Sequence, residues 1–146
     1  MAVKLPEHIH LTIVTPYRQL VDETVDEVLL PGALGQLGIL PGHRPLLTTL
    51  TIGEIAYRQG RCWSHLAVEW GFAEVLPDRV IVLAENAESV DDIDPEEILR
   101  AKQRAEERLR SKIPGIDVAA ELQELQRIYT RMAILEKVRK QQKEEK

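Results

Sequence analysis

The sequence predicts a β + α protein, with a flattened β-sandwich or barrel over residues 1–90 and an antiparallel two-helix hairpin over residues 91–146. Apolar residues recur at every second position as far as Glu85, and at every third or fourth position after Asp94. The charge balance changes there too, because residues 1–93 carry 6 Lys or Arg and 13 Asp or Glu, whereas residues 94–146 carry 13 and 11. We therefore expect two domains with different neighbours.

The first part has the alternation that is typical of half-buried strands. Ile9, Leu11 and Ile13 alternate with polar residues. A second run, Arg79 to Ala84, is rich in β-branched residues and follows the turn pair Pro77-Asp78. Further turn signals lie between these segments, at Pro31-Gly32, Pro41-Gly42, Gly53 and Gly60. Several short strands at near-regular spacing predict a sandwich or a barrel.

The second part begins with a helix start signal. Asp94 is in the N-cap position, Pro95 follows at the first helical position, and Glu97 completes the spacing of a capping box. Pro114-Gly115 interrupts the helical pattern, and Asp117 is placed to cap a second helix. We expect the polar end of that helix, KVRKQQKEEK, to fray. The apolar seam of the hairpin is thin, which suits either a conformational switch or a permanently docked cap.

Composition and motifs argue against several classes of function. The net charge of −5 and the aromatic fraction of 4% argue against binding to nucleic acid. No P-loop, nucleophile elbow, H-E-x-x-H or C-x-x-C motif is present, so we expect no catalytic residue. The histidines lack the spacing of a metal site, and we expect no metal. Cys62 is the single cysteine and no apolar run could span a bilayer, so we expect a soluble intracellular protein.

The stretch PGALGQLGILPGHRPLLTTL, Pro31 to Leu50, resembles the signature of the epsilon-subunit family of bacterial F-type ATP synthases, called delta in mitochondria. The segments LTIVTPYRQL, VDEVLLPG and VEWGFAEVLPDRVIVLAE agree with this family in order and length. The resemblance implies a non-catalytic central-stalk subunit that couples gamma to the c-ring in proton-driven ATP synthesis. It implies gamma, the c-ring and the catalytic alpha/beta hexamer as partners, no required cofactor, and a peripheral position on the cytoplasmic face of the bacterial inner membrane.

The resemblance also implies where two of these partners bind. Pro41, Gly42, His43 and Pro45 would form a stiff loop at the gamma contact, and a pre-ordered loop loses little entropy on docking. The alternative role for His43 is a loop-shaping hydrogen bond to the backbone. Gln36 falls where a relative has a glutamate near the c-ring, and glutamine can hydrogen-bond but cannot form an ion pair.

For the hairpin, the resemblance implies inhibition of ATP hydrolysis when the helices extend toward the catalytic hexamer. The basic residues that would meet an acidic segment there are Arg127, Arg131, Lys137, Arg139 and Lys140. Some relatives bind regulatory ATP on the folded hairpin, and the corresponding residues here are Glu97, Arg100, Arg127 and Arg131. The first-helix part of that motif departs from the family spacing, because five residues separate Ile93-Asp94 from Arg100-Ala101 instead of two.

Two alternatives belong to other classes of protein. A stand-alone β-sandwich binding module with a helical dimerisation hairpin should have an aromatic-lined groove, whereas we expect Trp63 and Trp70 in the core. A small metal enzyme would have to use His8, His10 and His65.

Overall fold

The chain consists of a unit of β-strands followed by a unit of helices. The computed structural model describes residues 3–144, and the chain divides after Ser89 into two compact units. The strands are β1 (Ile9–Val14), β2 (Gln19–Val25), β3 (Glu27–Gly32), β4 (Gly35–Ile39), β5 (Leu46–Leu50), β6 (Gly53–Gln59), β7 (Cys62–Leu76) and β8 (Arg79–Ser89). A 3-10 turn (Val90–Asp92) precedes the helices α1 (Pro95–Arg110) and α2 (Val118–Glu144). The predicted fold class is confirmed.

The eight strands form one sheet that folds over on itself. Its order is β2-β1-β8-β7-β5-β3-β4, and β6 pairs with both β3 and β7. The pair β1–β8 is parallel, with Leu11 opposite Val80, and the remaining pairs are antiparallel. The first half of β7 pairs with β6 and its second half with β5, and the change falls at Trp70 and Gly71. A strand that changes partner at a bend forms a corner between two layers.

The core lies between these layers and takes alternate residues from each strand. Ile9, Leu11 and Ile13 are completely buried, as their alternation predicts. The rest of the core cluster follows the same pattern: Val21, Val25, Val28, Leu30, Ile39, Leu50, Ile55, Tyr57, Leu66, Val68, Ala73, Val75, Val80, Val82 and Ala84. The residues between them on β1, β5, β7 and β8 therefore face outward.

Two predicted turn signals lie at the ends of strands. Pro31 and Gly32 are the last residues of β3, where Pro31 is opposite Gln36, and the turn is Ala33-Leu34. Gly53 is the first residue of β6, and a Cβ at this position would lie 2.7 Å from the Pro31 Cβ, so only glycine fits. The predicted turns are present within a residue of these signals, at Ala33-Leu34 and Thr51-Ile52, while Pro31, Gly32 and Gly53 themselves lie at strand ends.

Helix α1 begins at the predicted cap. Asp94 Oδ1 accepts a hydrogen bond from the backbone N–H of Glu96 at 3.0 Å, and Pro95 is the first helical residue. The Glu97 carboxylate, which we expected in a capping box, accepts hydrogen bonds from Arg100 and Arg104. The two guanidinium groups therefore take the place of the capping-box bond from the backbone N–H.

Helix α2 is capped as predicted but is longer than expected. Asp117 Oδ1 accepts a hydrogen bond from the N–H of Ala120 at 3.2 Å. The helix continues to Glu144, so the polar end is helical in this structure and its fraying stays a prediction. Neither helix is long and apolar enough to cross a membrane in the part of the chain from residue 3 to residue 144.

The two helices lie antiparallel, as two contacts between them show. Arg108 Nε donates to Glu121 Oε1 at 2.9 Å, and the Lys102 ammonium lies 5.9 Å from the centre of the Tyr129 ring. With this alignment, the residues of α2 after about position 136 extend past the start of α1, by roughly 12 Å at 1.5 Å per residue. We call this segment, residues 137–144, the α2 overhang.

Candidate functional site

The loop between β4 and β5 is held in place at several points. Gly42 adopts a left-handed φ of 84° and donates its N–H to the Pro77 carbonyl oxygen at 2.8 Å. The His43 N–H donates to the Leu40 carbonyl oxygen at 3.2 Å. A Cβ added to Gly42 would lie 3.2 Å from Leu5 Cδ2, so the chain before β1 packs against this loop. With Pro41 and Pro45 fixing φ on either side, the loop is rigid before any partner binds.

The His43 side chain makes the loop-shaping hydrogen bond that we considered as its alternative role. Nδ1 donates to the carbonyl oxygen of Arg44 at 2.7 Å. Nε2 forms no hydrogen bond with any of residues 3–144, and it is accessible to solvent. The ring therefore both shapes the loop and presents a second polar atom outward.

Gln36 lies at the other end of β4 from this loop. It is exposed, one residue beyond Gly35, which has a φ of 131°. Gln36 and Pro41 are five positions apart along extended chain, a span of about 17 Å. The side chain of Leu34 is fully exposed at the tip of the same β3–β4 hairpin. Leu34 was not among the predicted site residues, although an apolar residue between glycines in a turn was an available signal.

An open groove of about 740 Å³ crosses the outer face of β1, β8, β7 and β5. Val14, Leu83, Phe72 and Thr49 lie side by side across these four strands. Phe72 and Leu83 are 55% and 53% exposed, and Leu47, further along β5, is 72% exposed. We call the exposed side chains of Leu47, Phe72 and Leu83 the apolar face. Contiguous exposed apolar surface of this kind is typical of interaction sites.

Trp70 stands beside this groove, which contradicts its predicted place in the core. It is 37% exposed and has a φ of 52°, a rare conformation for a bulky residue. The cause is its neighbour Gly71, where a Cβ would lie 2.1 Å from the Leu83 carbonyl oxygen. This close approach of β7 to β8 fixes the bend and turns the indole outward.

The surroundings of the apolar face are acidic. Glu85 lines the groove, and Glu74 lies opposite Leu47 on the outer face. Residues 1–93 carry 13 acidic and 6 basic residues. A partner that covers this face is expected to combine apolar side chains with Lys or Arg.

The histidines of the metal-enzyme alternative lie apart. His8 pairs with Asp26 at 2.9 Å, His10 with Asp22, and His65 with Glu54. Asp26 also accepts the N–H of Gly60, and this bond, followed by the His8 bond, lowers the pKa of the Asp26 carboxyl below its usual value of 3.8. Residues 3–144 contain no group of three potential metal ligands.

The hairpin cations are distributed along one helix and are mostly paired. Arg127 donates to Glu124 at 3.2 Å and Arg139 to Glu136 at 2.9 Å, while Arg131 and Lys137 also have partners. Lys137, Arg139 and Lys140 lie on the α2 overhang. Arg127 and Arg139 can meet an acidic surface only by giving up their ion pairs with Glu124 and Glu136, each of which contributes less than about 1 kcal/mol.

The predicted nucleotide residues fall in the same half of the hairpin. Glu97 Oε1 accepts from Arg104 at 2.8 Å, and Glu97 Oε2 lies 3.1 Å from the nearest guanidinium nitrogen of Arg100. These arginines, with Arg104 first, lower the pKa of the Glu97 carboxyl. The helix alignment places Arg131 about level with Arg100. Arg104 was missed, although it lies one heptad after Glu97.

Comparison with protein families decides which family this chain represents. Residues 8–90 match the model of the ATP synthase delta/epsilon chain beta-sandwich domain, and residues 91–136 match that of its long alpha-helix domain. The chain belongs to the ATP synthase delta/epsilon chain family. The resemblance inferred from Pro31 to Leu50 is thus confirmed. Lys137, Arg139 and Lys140 lie beyond the matched residues of this ATP synthase family.

Named relatives and solved structures agree with this assignment to the delta/epsilon family. The chain is 50% identical over 111 residues to ATP synthase epsilon chain 2 of Syntrophotalea carbinolica, covering 76% of this chain and 80% of the relative. It is 44% identical over 132 residues to the ATP synthase epsilon chain of Geobacter metallireducens, covering 89% and 95%. These relatives favour an ATP synthase subunit over a stand-alone binding module.

Two solved structures share the fold. A chain of the Euglena gracilis mitochondrial ATP synthase OSCP/F1/c-ring structure has a TM-score of 0.72 at 24% identity, covering 93% of this chain and 84% of that one. A chain of the Tetrahymena thermophila mitochondrial ATP synthase central stalk/c-ring structure has a TM-score of 0.61 at 12% identity, covering 89% and 98%.

Proposed function

We propose that this chain is the non-catalytic central-stalk subunit of a proton-transporting F-type ATP synthase, and that it couples gamma to the c-ring. The observation that carries the proposal is the match to both delta/epsilon domains, in order, over residues 8–136. The Tetrahymena chain of the same fold comes from a central stalk and c-ring assembly. The subunit contributes no catalytic residue, and ATP is made by other subunits of the complex.

Gamma is the partner for the loop that contains Pro41, Gly42, His43 and Pro45, and for the apolar face next to it. The loop is continuous with this face, because β5 begins at Leu46 directly after Pro45. A rigid loop beside exposed Leu47 and Phe72 offers a pre-ordered polar contact together with apolar area to bury. This combination suits a permanent joint between two parts of a rotor.

The c-ring is the partner for the tip of the β3–β4 hairpin. Gln36 and the fully exposed Leu34 lie at this tip, on the end of β4 away from the gamma loop. Glutamine can both donate and accept hydrogen bonds but carries no charge. The contact is therefore expected to be insensitive to salt, unlike an ion pair.

The hairpin acts as an inhibitor of ATP hydrolysis through its basic residues. Arg127, Arg131, Lys137, Arg139 and Lys140 would contact an acidic segment of the catalytic subunits. A single exposed ion pair contributes less than about 1 kcal/mol, so inhibition depends on several of them acting together. The support for this role is the basic excess of residues 94–146, with 13 basic and 11 acidic residues.

Regulatory ATP is the ligand proposed for the half of the hairpin that contains Glu97, Arg100, Arg127 and Arg131. Two or more arginines can clamp a phosphate. Because Glu97 holds Arg100 and Arg104, the phosphate must displace this carboxylate. Calorimetric titration with ATP should give binding heat for the wild-type chain, a larger affinity for Glu97→Gln, and none for Arg127→Ala. Absence of heat with the wild type contradicts this role.

The chain would lie on the cytoplasmic face of the bacterial inner membrane, held there only by the complex. In cells that make the whole enzyme it should sediment with membranes and be released together with gamma. A chain that sediments with membranes of cells lacking the other subunits would contradict this position.

Co-purification with gamma tests the central proposal. Full-length chain should capture gamma, and Leu47→Glu should abolish capture because it places a charge in the apolar face. Leu99→Glu on α1 is the matched control, since Leu99 is also an exposed leucine. Equal capture by all three proteins would remove the apolar face from the interface, and no capture by any of them would contradict the proposed function.

A further inference from the structure

The two nitrogens of the His43 ring are in different environments. Nδ1 lies 2.7 Å from the carbonyl oxygen of Arg44, and a carbonyl oxygen can only accept a hydrogen bond. Nδ1 must therefore carry the hydrogen. In a neutral imidazole the other nitrogen, Nε2, then has a lone pair and no hydrogen, so it is an acceptor.

The surrounding loop fixes the direction of this acceptor. Backbone hydrogen bonds tie Gly42 to Pro77 and His43 to Leu40, and Leu5 packs against Gly42. The ring is itself held by Arg44. Nε2 has no hydrogen-bond partner among residues 3–144 and is accessible to solvent, so a partner can reach it without moving the loop.

We propose that His43 is a specificity-determining residue that accepts a hydrogen bond through Nε2, and that gamma presents a donor to it. The inference rests on the proposed function, since it concerns the gamma contact. The donor is an N–H or O–H group. A carboxylate does not fit the neutral ring, because its oxygens would face the Nε2 lone pair and repel it.

Nitrogen-15 NMR of the full-length free chain tests the tautomer without gamma. The chain has four histidines, and the His43 signals are assigned by their loss in His43→Asn. At about pH 8, where an ordinary imidazole is neutral, Nδ1 of His43 should give a pyrrole-type shift and Nε2 a pyridine-type shift. The reverse assignment overturns the proposal.

Two substitutions separate the interface role from the loop-shaping role. Asparagine can place an N–H near the position of Nδ1 but reaches no further, whereas the glutamine side-chain carbonyl reaches the position of Nε2. In titrations with gamma, His43→Asn should weaken binding about fivefold, as expected for loss of one hydrogen bond. His43→Gln should stay within about twofold of wild type. His10→Gln, on a different strand, is the control and should not change the affinity.

The outcomes separate this inference from the proposed function. Wild-type affinity of His43→Asn means that the ring only shapes its loop, and equal losses for the Asn and Gln variants mean that Nε2 is not the acceptor. Either result overturns the proposal while leaving gamma as the partner. A wild-type chain that ignores gamma overturns the proposed function, and the role of Nε2 in the interface falls with it.

Discussion

Gly71 occupies a position where a side chain has no room. Its φ is 140°, and an added Cβ would lie 2.1 Å from the Leu83 carbonyl oxygen and 2.9 Å from the Ala84 Cα. Both obstacles are backbone atoms of β8, which cannot move without breaking the sheet. This single residue therefore sets how closely β7 and β8 approach and where Trp70 points.

We expect Gly71→Ala to be strongly destabilising, by about 3 kcal/mol or more, since it combines backbone strain with a backbone clash. Urea denaturation measures the change in the free energy of unfolding. Gly60→Ala is the matched control, because Gly60 also has a positive φ, 62°, but nothing lies near its Cβ position. Its cost should be only about 1–2 kcal/mol. Similar losses for both variants would mean that φ alone matters.

Asp26 is the residue for which a pH dependence can be predicted. Its pKa in the folded chain is lowered from 3.8, chiefly by the hydrogen bond from the Gly60 N–H and then by His8. A lowered folded-state pKa means that the ionised carboxylate stabilises the fold above the unfolded value, and that this contribution disappears as pH falls through the folded value.

Asp26→Asn should accordingly be less stable than wild type at neutral pH, and the difference should narrow as the pH falls below 3.8. Urea denaturation at neutral and acid pH gives both differences. Asp91→Asn, at an exposed position in the 3-10 turn, is the control and should track the wild type at every pH. A difference that stays constant with pH would show that the carboxylate charge is irrelevant.

At the scale of elements, the predictable features are those with local causes. The burial of alternate residues in β1 and the caps of both helices depend on side chains only a few positions apart, and the sequence predicted them. The Glu97 carboxylate was assigned to the wrong partner because two arginines compete with the capping box. The close contact between Pro31 and Gly53 could not be predicted, because these residues are distant in sequence.

The cap of α1 gives a prediction for the hairpin. Asp94→Ala removes the acceptor for the Glu96 N–H and should destabilise α1 by about 1 kcal/mol. Hydrogen exchange at the amides of the first turn should become faster, while the amides of α2 change less. Asp91→Ala lies outside α1 and should leave these rates unchanged. Unchanged exchange in Asp94→Ala would show that solvent replaces the cap without loss.

At the scale of the whole molecule, the contact loop was predictable and the apolar face was not. Two prolines and a glycine around His43 specify a rigid loop in any context. The outward position of Trp70 follows from the bend of β7, which depends on a tertiary contact between Gly71 and β8. Alternation alone could not show which face of these strands would be covered.

Deletion of residues 94–146 should leave a folded sandwich, because every residue of its core cluster precedes Glu85. The shortened chain should bind gamma as well as the full chain does. In the assembled enzyme, ATP hydrolysis should rise severalfold once the basic hairpin is absent. Unchanged hydrolysis would eliminate the inhibitory role, whereas loss of gamma binding would show that the hairpin belongs to the joint.

The parallel pairing of β1 with β8 has a consequence for biosynthesis. Strand β1 lies between β2 and β8, the last strand of the sheet. One edge of β1 therefore stays unpaired until Arg79–Leu83 has been translated. Until then a nascent β1–β2 hairpin exposes an unpaired edge, which is prone to aggregation and invites chaperones. The apolar face, which includes Leu83 of β8, is thus completed only when β8 pairs with β1. An incomplete chain therefore lacks the surface proposed to bind gamma.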